Sequence, residues 1–520
     1  MNDSTRKKWL RRKRRIAKRL RPRKFRSRKK PMLTARNIHY DVSDRARAVG
    51  CGGIGSVHLL ARKVGLIDAI DRELHLLKVH LPYHESDHVL NIAYNVLCGG
   101  DCLQDLELLR NDEAYLDALG ASRIPDPTTA GDFCRRFETA DQVNTLQETI
   151  NSTRLDVWKQ QPPEFFERAV IDADGTIAPT TGECKAGMDI SYDGQWGYHP
   201  LVTSLANTRE VLYLLNRPGN RPSHEDAAEY LERSIVLCRD AGFKSILLRG
   251  DADFSQTAYL DGWDDLRNEQ DRSFVQFLFG IDAMPNLVSM AESLHESAWQ
   301  GLRRPPRYEV ATGERAKPSN VKQQVIDQRG FKHLRLAAEH VSEVEYQPIK
   351  CGRPYRLIIT RKSIDVEVAQ EKMWQEYRYF FHITNDRLAS AGELVLSANG
   401  RCDQENLIAQ LKGGVHALRL PVNDLNSNWA YMVMASLAWT LKAWWGLMLP
   451  ESKGRGAPVR REHKSQVVRM EFKRFVNAIV LLPCQIIRSG RRLLYRFLSY
   501  SPWQEPLLAA VAAWRTRAQC

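Results

Sequence analysis

The chain has 520 residues, of which 43% are hydrophobic, a composition typical of globular proteins; because the length exceeds one compact core, we expect about two to four domains. The net charge of +14 is concentrated in residues 1–30, which hold 17 Lys and Arg against one Asp, so the other 490 residues sum to −2. The ten cysteines form no CxxC pair, which argues against a disulfide framework and a zinc site and indicates reduced cytoplasmic thiols.

Residues 1–30 form a basic arm, for which we predict disorder in isolation and binding to polyanions, chiefly nucleic acid. The arm lacks the apolar core of a secretory signal, and no small-residue cleavage site follows it. Apolar residues interrupt its charges, so we expect part of it to fold on contact with a partner. These residues are Trp9, Leu10, Ile16, Leu20 and Phe25.

The next part of the chain, residues 31–160, is predicted to be helical, because apolar residues recur three and four positions apart. The segments with this period are Ser56–Val64, Asp87–Leu97, Leu103–Leu109 and Ala130–Phe137. We interpret this region as a helical DNA-binding domain. It shows no clear helix-turn-helix pattern, so the geometry of its docking on DNA stays open.

Two motif matches in the helical region are interpreted as coincidental. Gly50–Gly55 fits GxGxxG, but no buried strand precedes it and no βαβ unit follows, so we expect a glycine turn that leads into a helix. His84–His88 fits HExxH, but Ser86 or Asp87 is expected to be a helix N-cap. His84 would then lie outside the helix, and we predict no zinc protease site.

Acidic residues follow two predicted strands in the next region. Arg168–Thr176 reads as a strand that ends in acids, and strand alternation places Asp172 and Asp174 on the same side. Lys244–Arg249 is a second strand, which delivers Asp251 at its carboxyl end. Active sites of α/β sheets lie at the carboxyl ends of neighbouring strands, so we expect these acids to meet there.

Further strands are expected at Ser273–Phe279, Tyr355–Thr360 and Arg378–Thr384. We interpret residues 263–374 as a β-rich insertion that separates one strand of the sheet from the last. The helix that contains Glu405 follows the last of these strands.

A stretch of 21 mostly apolar residues, Trp429–Leu449, is long enough to cross a membrane. Lys442 lies inside it, four Trp are spread along it, and no second such stretch exists. We therefore predict a buried core helix. From Asn426 onward the chain is expected to be helical and increasingly basic.

Three charged residues share one face of the Glu405 helix. Arg401 precedes Glu405 by four residues and Lys412 follows it by seven, and both offsets fall on one side of an α-helix. A carboxylate between two cations suits work on phosphate esters, since the acid binds a divalent metal and the bases bind phosphates. Taken alone, the same spacing is more often an ordinary surface helix with ion pairs. Apolar residues on its other side would pack it down: Leu407, Ile408 and Leu411.

The order of Asp174 (or Asp172), Asp251 and Glu405, with an insertion before the Glu, resembles the RNase H-like DDE transposases of bacterial insertion sequences. Within this family, the first acid is commonly followed by a small residue and Thr, which favours Asp174 over Asp172. The second-acid motif, Asp-x-Gly/Ala-Phe/Tyr, corresponds to Asp251–Phe254, in which an Asp replaces the small residue.

The third motif is similar to the Tyr-x2-Arg-x3-Glu-x6-Lys signature of one branch of these transposases. Arg401, Glu405 and Lys412 match its spacing, and Ala398 stands in place of the Tyr. The resemblance implies that Asp174, Asp251 and Glu405 bind two Mg²⁺ (or Mn²⁺) ions about 4 Å apart. It also implies that Arg401 and Lys412 bind backbone phosphates near the cut.

The family resemblance implies a DNA transposase that binds the terminal inverted repeats of its insertion sequence, cleaves at the element ends and joins the 3′-OH ends to target DNA. Because two ends must be brought together, we expect a homodimer on DNA. We also expect a cytoplasmic, nucleoid-associated protein with no membrane partner.

The expected fold class is α/β, with an RNase H-like catalytic domain interrupted by a β-rich insertion and flanked by helical N-terminal and C-terminal regions. The predicted regions are a disordered basic arm (1–30), a helical DNA-binding domain (31–160), the first catalytic part (161–262), the insertion (263–374), the second catalytic part (375–450) and a basic helical C-terminal region (451–520).

Other interpretations stay open at this point. Val170–Thr176 also fits the DxDGT motif of haloacid dehalogenase-type phosphatases, in which Asp172 would be the nucleophile and Asp174 the general acid/base. That reading leaves the Glu405 helix and the basic arm without a role. A nucleic-acid-binding protein without catalysis is a further alternative. Trp299 and Trp374 are candidates for base stacking, although core positions are the more ordinary reading.

Overall fold

The structure is a computed structural model of the full chain, and eleven parts of the chain are described in it. These are residues 3–20, 35, 38–40, 46–80, 82–182, 184–266, 274–304, 332–368, 371–451, 457–490 and 492–515.

The α-helices of these parts are α1 (Asp3–Leu20), α2 (Ile54–Lys63), α3 (Leu66–Glu73), α4 (Glu85–Leu97), α5 (Leu106–Arg110), α6 (Glu113–Leu119), α7 (Pro127–Cys134), α8 (Ala140–Trp158), α9 (Ala227–Ala241), α10 (Leu260–Asp264), α11 (Pro285–Glu292), α12 (Ala391–Asn399), α13 (Cys402–Gly413), α14 (Leu425–Leu447), α15 (Ala457–Arg469), α16 (Phe472–Phe475) and α17 (Gln504–Arg515).

The strands are β1 (Ala48–Val49), β2 (Ala169–Gly175), β3 (Ala178–Pro179), β4 (Asp189–Ile190), β5 (Trp196–Tyr198), β6 (Leu201–Leu205), β7 (Glu210–Leu215), β8 (Ile246–Gly250), β9 (Val275–Ile281), β10 (Gln300–Gly301), β11 (Lys332–Tyr346), β12 (Tyr355–Val368), β13 (Glu371–Thr384), β14 (Cys484–Ser489) and β15 (Arg492–Phe497). Short 3-10 helices lie at Leu103–Asp105, Pro163–Phe166, Ala252–Phe254 and Glu296–Ala298, and a π-helix lies at Val476–Val480.

A nine-stranded mixed sheet runs through the protein in the order β10-β11-β12-β13-β9-β8-β2-β6-β7. β2, β8 and β9 are parallel to one another. β6 and β7 continue the sheet antiparallel on one side, and β13, β12, β11 and β10 continue it antiparallel on the other. The expected combination of helices with a sheet is therefore confirmed. Because β2 and β8 are parallel neighbours, their carboxyl ends lie at one edge.

Helices cover both faces of the parallel strands. Leu247 of β8 and Leu278 of β9 pack with Leu394 and Val395 of α12. Leu248 points to the opposite face, where the main hydrophobic core includes residues of α9. This burial on both faces explains why β8 reads as an apolar run rather than an alternating one.

The strand expected at Ser273–Phe279 is β9, and it continues the parallel part of the sheet instead of belonging to a separate insertion. β13 includes the strand expected at Arg378–Thr384 and pairs with β9 over only its last four residues, Phe381–Thr384. The rest of β13 forms long antiparallel hairpins with β12 and β11, which is the β-rich character expected for this part of the chain.

The apolar stretch around Lys442 is α14, a helix whose side chains are almost all buried against β7, α4, α8 and α15. This confirms the predicted core helix. Lys442 itself is buried, and its Nζ donates a hydrogen bond to the Val468 carbonyl at 2.6 Å. Among the helices described, none has the length and apolar character that a membrane span requires.

The helical interpretation of the region after the arm is confirmed by α2 to α8. Gly53 precedes α2, as expected of a glycine turn that leads into a helix. His84 lies outside α4, also as predicted, but it is itself the N-cap, and Asp87 accepts a hydrogen bond from the His84 amide. The expected cap at Ser86 or Asp87 is therefore wrong by two or three residues.

The prediction of a disordered arm is wrong for residues 3–20, which form α1. The helix is held against the C-terminal part of the chain by one face. Trp9 lies with its ring 5.4 Å from that of Tyr500, and the Arg12 guanidinium donates to the carbonyls of Phe497 and Ser499 at 2.7 and 3.1 Å. The positive charges of residues 3–20 therefore belong to a folded helix. Residues 21–30 lie outside the described parts of the chain.

The prediction of an all-helical C-terminal region is also wrong, because β14 and β15 form an antiparallel hairpin. β14 pairs in turn with β1 near the start of the folded body. Cys484 and Ile486 of the hairpin are buried, and the Tyr495 hydroxyl donates to the Ala118 carbonyl. A partner strand from a distant part of the chain favours the extended conformation here.

Candidate active site

Two acids lie at one edge of the sheet, where β2 and β8 end. Asp174 is the penultimate residue of β2, and Asp251 directly follows β8. The two strands are in parallel register, with Asp172 opposite Arg249, so Asp174 and Asp251 leave the sheet side by side. The Asp251 carboxylate also accepts a hydrogen bond from the Asp253 amide at 3.1 Å.

The third acid reaches this edge from α13, whose first residues include Glu405. Arg401, the N-cap of this helix, brings the three acids together. Its Nη1 lies 3.1 Å from Asp174 Oδ2 and 3.7 Å from Asp251 Oδ2, and its Nη2 lies 3.6 Å from Glu405 Oε1. Three of the five residues that the sequence singled out therefore converge on the guanidinium of a fourth, Arg401.

The cluster is closed on one side and open on the other. The exposed fraction of the side chain rises from 16% at Asp174 to 39% at Asp251 and 61% at Glu405, and it is 21% at Arg401. A ligand would therefore approach from the side of Glu405.

Burial and mutual repulsion disfavour ionised carboxylates at this edge. Burial and the negative charges of Asp251 and Glu405 together raise the pKa of Asp174 to about 6, although the positive charge of Arg401 opposes the shift. Burial also raises the pKa of Asp251, again against the effect of Arg401. Such crowded carboxylates are stabilised by any cation that binds among them.

Asp172 does not join the cluster, although it lies only two residues before Asp174. It is 1% exposed, and its two oxygens accept hydrogen bonds from Arg249 Nε and Nη2 at 2.7 and 2.8 Å. The structure therefore offers Asp174 as the first acid. A phosphatase that uses Asp172 as nucleophile is not supported, because this side chain is buried and fully engaged with Arg249.

Arg249 connects the two strands with the helix that precedes α13. Its Nη1 donates to the Ser397 carbonyl at 2.8 Å, near the end of α12. A Cβ at Gly400 would lie 2.6 Å from the same Nη1, so only glycine fits between the guanidinium and the start of α13. The sequence analysis did not identify Arg249, and its position two residues before Asp251 was the available signal.

Hydrogen bonds to β6 hold α13 on the sheet. Gln404 Nε2 donates to the Val202 carbonyl at 3.0 Å, and the Ser204 hydroxyl donates to Gln404 Oε1. Because Gln404 precedes Glu405, these bonds fix the turn that presents the third acid. The predicted packing residues of this helix are all buried: Leu407, Ile408 and Leu411.

Lys412 is exposed near the other end of α13 and lines a cleft beside the acids. Partial burial lowers the pKa of its amino group, and attraction to the Asp174 carboxylate opposes this shift. The cleft has a volume of about 1240 Å³. Its polar and aromatic lining includes Gln104, Thr180, Thr181, Gln195, Trp196 and Arg419.

Trp196 is an exposed aromatic residue of this cleft that the sequence analysis missed. Its exposed fraction is 53%, and it begins β5 after a glycine turn at Gly194. Of the two Trp candidates for base stacking, Trp299 is buried with 8% exposed, whereas Trp374 is 49% exposed. An aromatic residue in a glycine-rich turn close after the first acid was the signal for Trp196.

The donor set of the cluster fits a hard divalent cation, because carboxylate oxygens are the ligands that Mg²⁺ prefers. The three carboxylates already surround a cationic group, the Arg401 guanidinium. Over the described parts of the chain, only Asp101, Cys102 and Asp105 place three ligand atoms within 4.8 Å of one another. The group of Asp101, Cys102 and Asp105 includes a thiol, and the Asp105 carboxylate already accepts hydrogen bonds from the Asp101 and Cys102 amides. This group is therefore the poorer match for Mg²⁺.

Comparisons with known proteins identify the family of the chain. A family model described as "Transposase DDE domain group 1" matches residues 41–518. Among solved structures, the chain is similar to a piggyBac transposase synaptic complex with hairpin DNA, at 9% identity and a TM-score of 0.34, over 84% of this chain and 83% of that chain. No curated protein sequence matches the chain.

Proposed function

The chain belongs to the transposase DDE domain group 1 family, and from that premise we propose that Asp174, Asp251 and Glu405 are the three catalytic acids of this DDE-type transposase. The observation that carries the assignment is the convergence of these carboxylates on the Arg401 guanidinium. The acids come from two strand ends and one helix, far apart in sequence. A structural role alone does not explain such a cluster, because burial raises the pKa of two of the acids and so makes their ionised forms unfavourable.

The proposed reaction is cleavage at the ends of a bacterial insertion sequence, followed by joining of the 3′-OH ends to target DNA. The protein would recognise the element by its terminal inverted repeats. The cleft beside the acids supports this substrate, since Lys412 and Arg419 provide cations for phosphates and Trp196 provides an exposed ring for a base.

Transposases of this family generally use divalent metals, and we propose two Mg²⁺ or Mn²⁺ ions held by Asp174, Asp251 and Glu405. When bound, such ions supply an activated water and neutralise charge on the attacking and leaving oxygens. The residues of the chain do the positioning. Asp174 must lose its proton to act as a ligand, and Lys412 holds a positive charge at the wall of the cleft where a phosphate would lie.

We propose that the catalytic core is RNase H-like and interrupted by a β-rich insertion. The support is the order of the acids along the chain, at the ends of β2 and β8 and then on α13 after the sheet. β10 to β13 lie between β9 and this helix in sequence, which is the place of the proposed insertion. β9 then belongs to the core, and the other boundaries stay as predicted.

A homodimer on DNA is part of the same proposal, because strand transfer of both element ends requires that they be held together. The cationic surface of α1 supports DNA as the partner, since nine of its Lys and Arg side chains are exposed. Association with the nucleoid would follow from this binding.

The test is a cleavage assay on the DNA that flanks the gene, which is expected to carry short inverted repeats. One repeat end is labelled and incubated with the full chain and Mn²⁺. We expect nicking at the repeat boundary by the wild type and its loss in Glu405→Gln and Asp174→Asn, with repeat binding retained. Glu232→Gln, an exposed acid on α9, is the matched control and should cut normally.

Three outcomes would contradict the proposal. Repeat-specific cutting that survives in both Glu405→Gln and Asp174→Asn would remove these acids from the site. Binding of the repeat without cutting by any protein, including the wild type, would indicate a DNA-binding relative without catalysis. Release of phosphate from a small phosphoester that is lost in Asp172→Asn would instead point to the phosphatase.

A further inference from the structure

We propose that Arg401 is an internal counterion of the acidic cluster, which divalent metal displaces and which then binds a phosphate of the DNA. Metal binding and DNA binding are thereby coupled through one side chain. This inference rests on the proposed function of the three acids, but it concerns a step before catalysis.

The first support is competition for the same oxygen atoms. Arg401 Nη1 donates a hydrogen bond to Asp174 Oδ2 at 3.1 Å, and Arg401 is the ion-pair partner of all three carboxylates. Across the parts of the chain that are described, no other cation forms an ion pair with Asp174, Asp251 or Glu405. A metal ion bound by these acids would need the Asp174 lone pair that the guanidinium now occupies, and the positive charge of Arg401 near the other two carboxylates would repel it.

The second support is that Arg401 is held loosely. Of its three ion pairs, only the one with Asp174 is within hydrogen-bonding distance, and the other two are longer than 3.5 Å. Arg249, in contrast, makes two short bonds to Asp172 and one to the Ser397 carbonyl. Of these two arginines of the site, Arg401 can therefore rotate away while Arg249 keeps the backbone of the site in place.

The third support is the place to which the side chain can move. Arg401 is the N-cap of α13, its side chain is 21% exposed, and it borders the open side of the cluster at Glu405. Lys412 lies on the same helix and lines the cleft. A DNA strand that reaches the open side of the cluster at Glu405 would offer Arg401 a phosphate, which a guanidinium binds in a bidentate manner. The metal ion then provides the positive charge that Arg401 supplied to the acids before it moved.

The physical consequence is a site that resists metal when no DNA is present. With Arg401 in place, one positive charge lies about 3 to 4 Å from the carboxylates and repels an incoming divalent ion. Once a phosphate attracts Arg401, three carboxylates face the metal without a competing cation. The protein would therefore bind metal more tightly on its DNA substrate than in solution.

The experiment measures Mn²⁺ binding to the full chain without DNA, from the electron paramagnetic resonance signal of free Mn²⁺. We expect Arg401→Gln to bind Mn²⁺ roughly tenfold or more tightly than the wild type, because a like charge has been removed. Arg401→Lys, which keeps the charge, should remain close to the wild type. Arg221→Gln is the matched control, because Arg221 forms the same i, i+4 pair with Glu225, and it should have no effect.

The results separate this inference from the proposed function. If Asp251→Asn leaves Mn²⁺ binding unchanged, the metal is not bound at the acids, and the proposed site itself fails. If Asp251→Asn weakens binding but Arg401→Gln does not strengthen it, the counterion role of Arg401 is wrong while the acids stand. A second readout is Mn²⁺ binding in the presence of the repeat-end duplex from the cleavage assay. This duplex should tighten Mn²⁺ binding to the wild type and leave Mn²⁺ binding to Arg401→Gln unchanged.

Discussion

Two aspartates of one strand, Asp172 and Asp174, have different roles because of the groups around them. Both point to the same side of β2, as strand alternation requires. Asp172 meets Arg249, which neutralises it in a buried pair, whereas Asp174 meets two further acids and the single guanidinium of Arg401. Removing one member of a buried pair leaves an uncompensated charge, so Arg249 and Asp172 maintain the edge on which the reactive acids stand.

The raised pKa of Asp174 has a consequence for stability. The folded protein holds the proton up to about pH 6, whereas the unfolded chain releases it near pH 4. The wild type therefore loses stability from this group as the pH rises from about 4 to about 6, and the loss persists above pH 6. In metal-free buffer, Asp174→Asn should raise the thermal midpoint relative to the wild type at pH 7 and much less at pH 4.5.

The control for this measurement is Glu232→Gln, an exposed acid on α9 outside the cluster, which should leave the midpoint unchanged at both values of pH. An equal effect of Asp174→Asn at pH 4.5 and pH 7 would contradict the pKa shift. Addition of Mn²⁺ should reverse the order of the two proteins at pH 7, because only the wild type can use this carboxylate as a ligand.

At the scale of elements, α1 shows how a charged segment becomes ordered without losing its charge. One face, with Trp9 and Arg12, rests on residues that follow β15. The other faces carry the nine exposed cations. Docking thus leaves most of the positive charge of α1 exposed, where it can bind phosphates.

We expect Arg14→Gln, Arg15→Gln and Lys18→Gln together to weaken binding to a duplex of random sequence. Each phosphate contact contributes about 0.9 to the slope of log affinity against log salt concentration, so the slope should fall by up to about 3. Fluorescence anisotropy over a series of salt concentrations measures this slope.

A second triple variant tests whether position matters for this surface. Exposed cations on other helices and loops of the same chain are Lys159, Arg239 and Lys244. Their replacement by Gln removes the same total charge, yet it should change the slope little. Equal slopes for the two triple variants would mean that α1 has no specific part in DNA binding.

At the scale of the whole molecule, residues from distant parts of the chain meet at the site. The cleft beside the acids is lined by residues before β2, by the turns around β3 and β5, and by the segment between α13 and α14. The helical N-terminal region and the small sheet of β3, β5 and β4 therefore share one surface.

Because both element ends must be held together for strand transfer, the proposed function predicts which assembly forms on DNA. We expect two chains to join on the element-end duplex, so the mass of the complex should correspond to two chains and two duplexes in sedimentation experiments. Glu405→Gln should assemble in the same way, because it lacks a catalytic acid but keeps the DNA-binding residues. A complex with one chain and one duplex at saturating concentrations would contradict the proposed homodimer.

The sequence by itself determined the features that depend on local order. Helical periodicity located α4 and α13, the composition of α14 indicated a core helix, and short motifs identified Asp174, Asp251, Glu405 and Arg401. The predicted helices are confirmed because neighbouring residues and their spacing carry the information, whereas the catalytic role of these four residues stays a prediction. The same motifs could not decide between Asp172 and Asp174 from the residues alone, since both face the same side of one strand.

Only the tertiary structure decided the features that depend on distant partners. α1 and the β14–β15 hairpin take their conformations from contacts with remote segments, which local propensity does not include. Arg249 and Gln404 position the site through hydrogen bonds that join different elements. Arg401 contacts all three acids because the sheet and α13 bring it next to Asp174, which lies more than 200 positions away in the sequence. A local sequence pattern does not include contacts over such a separation.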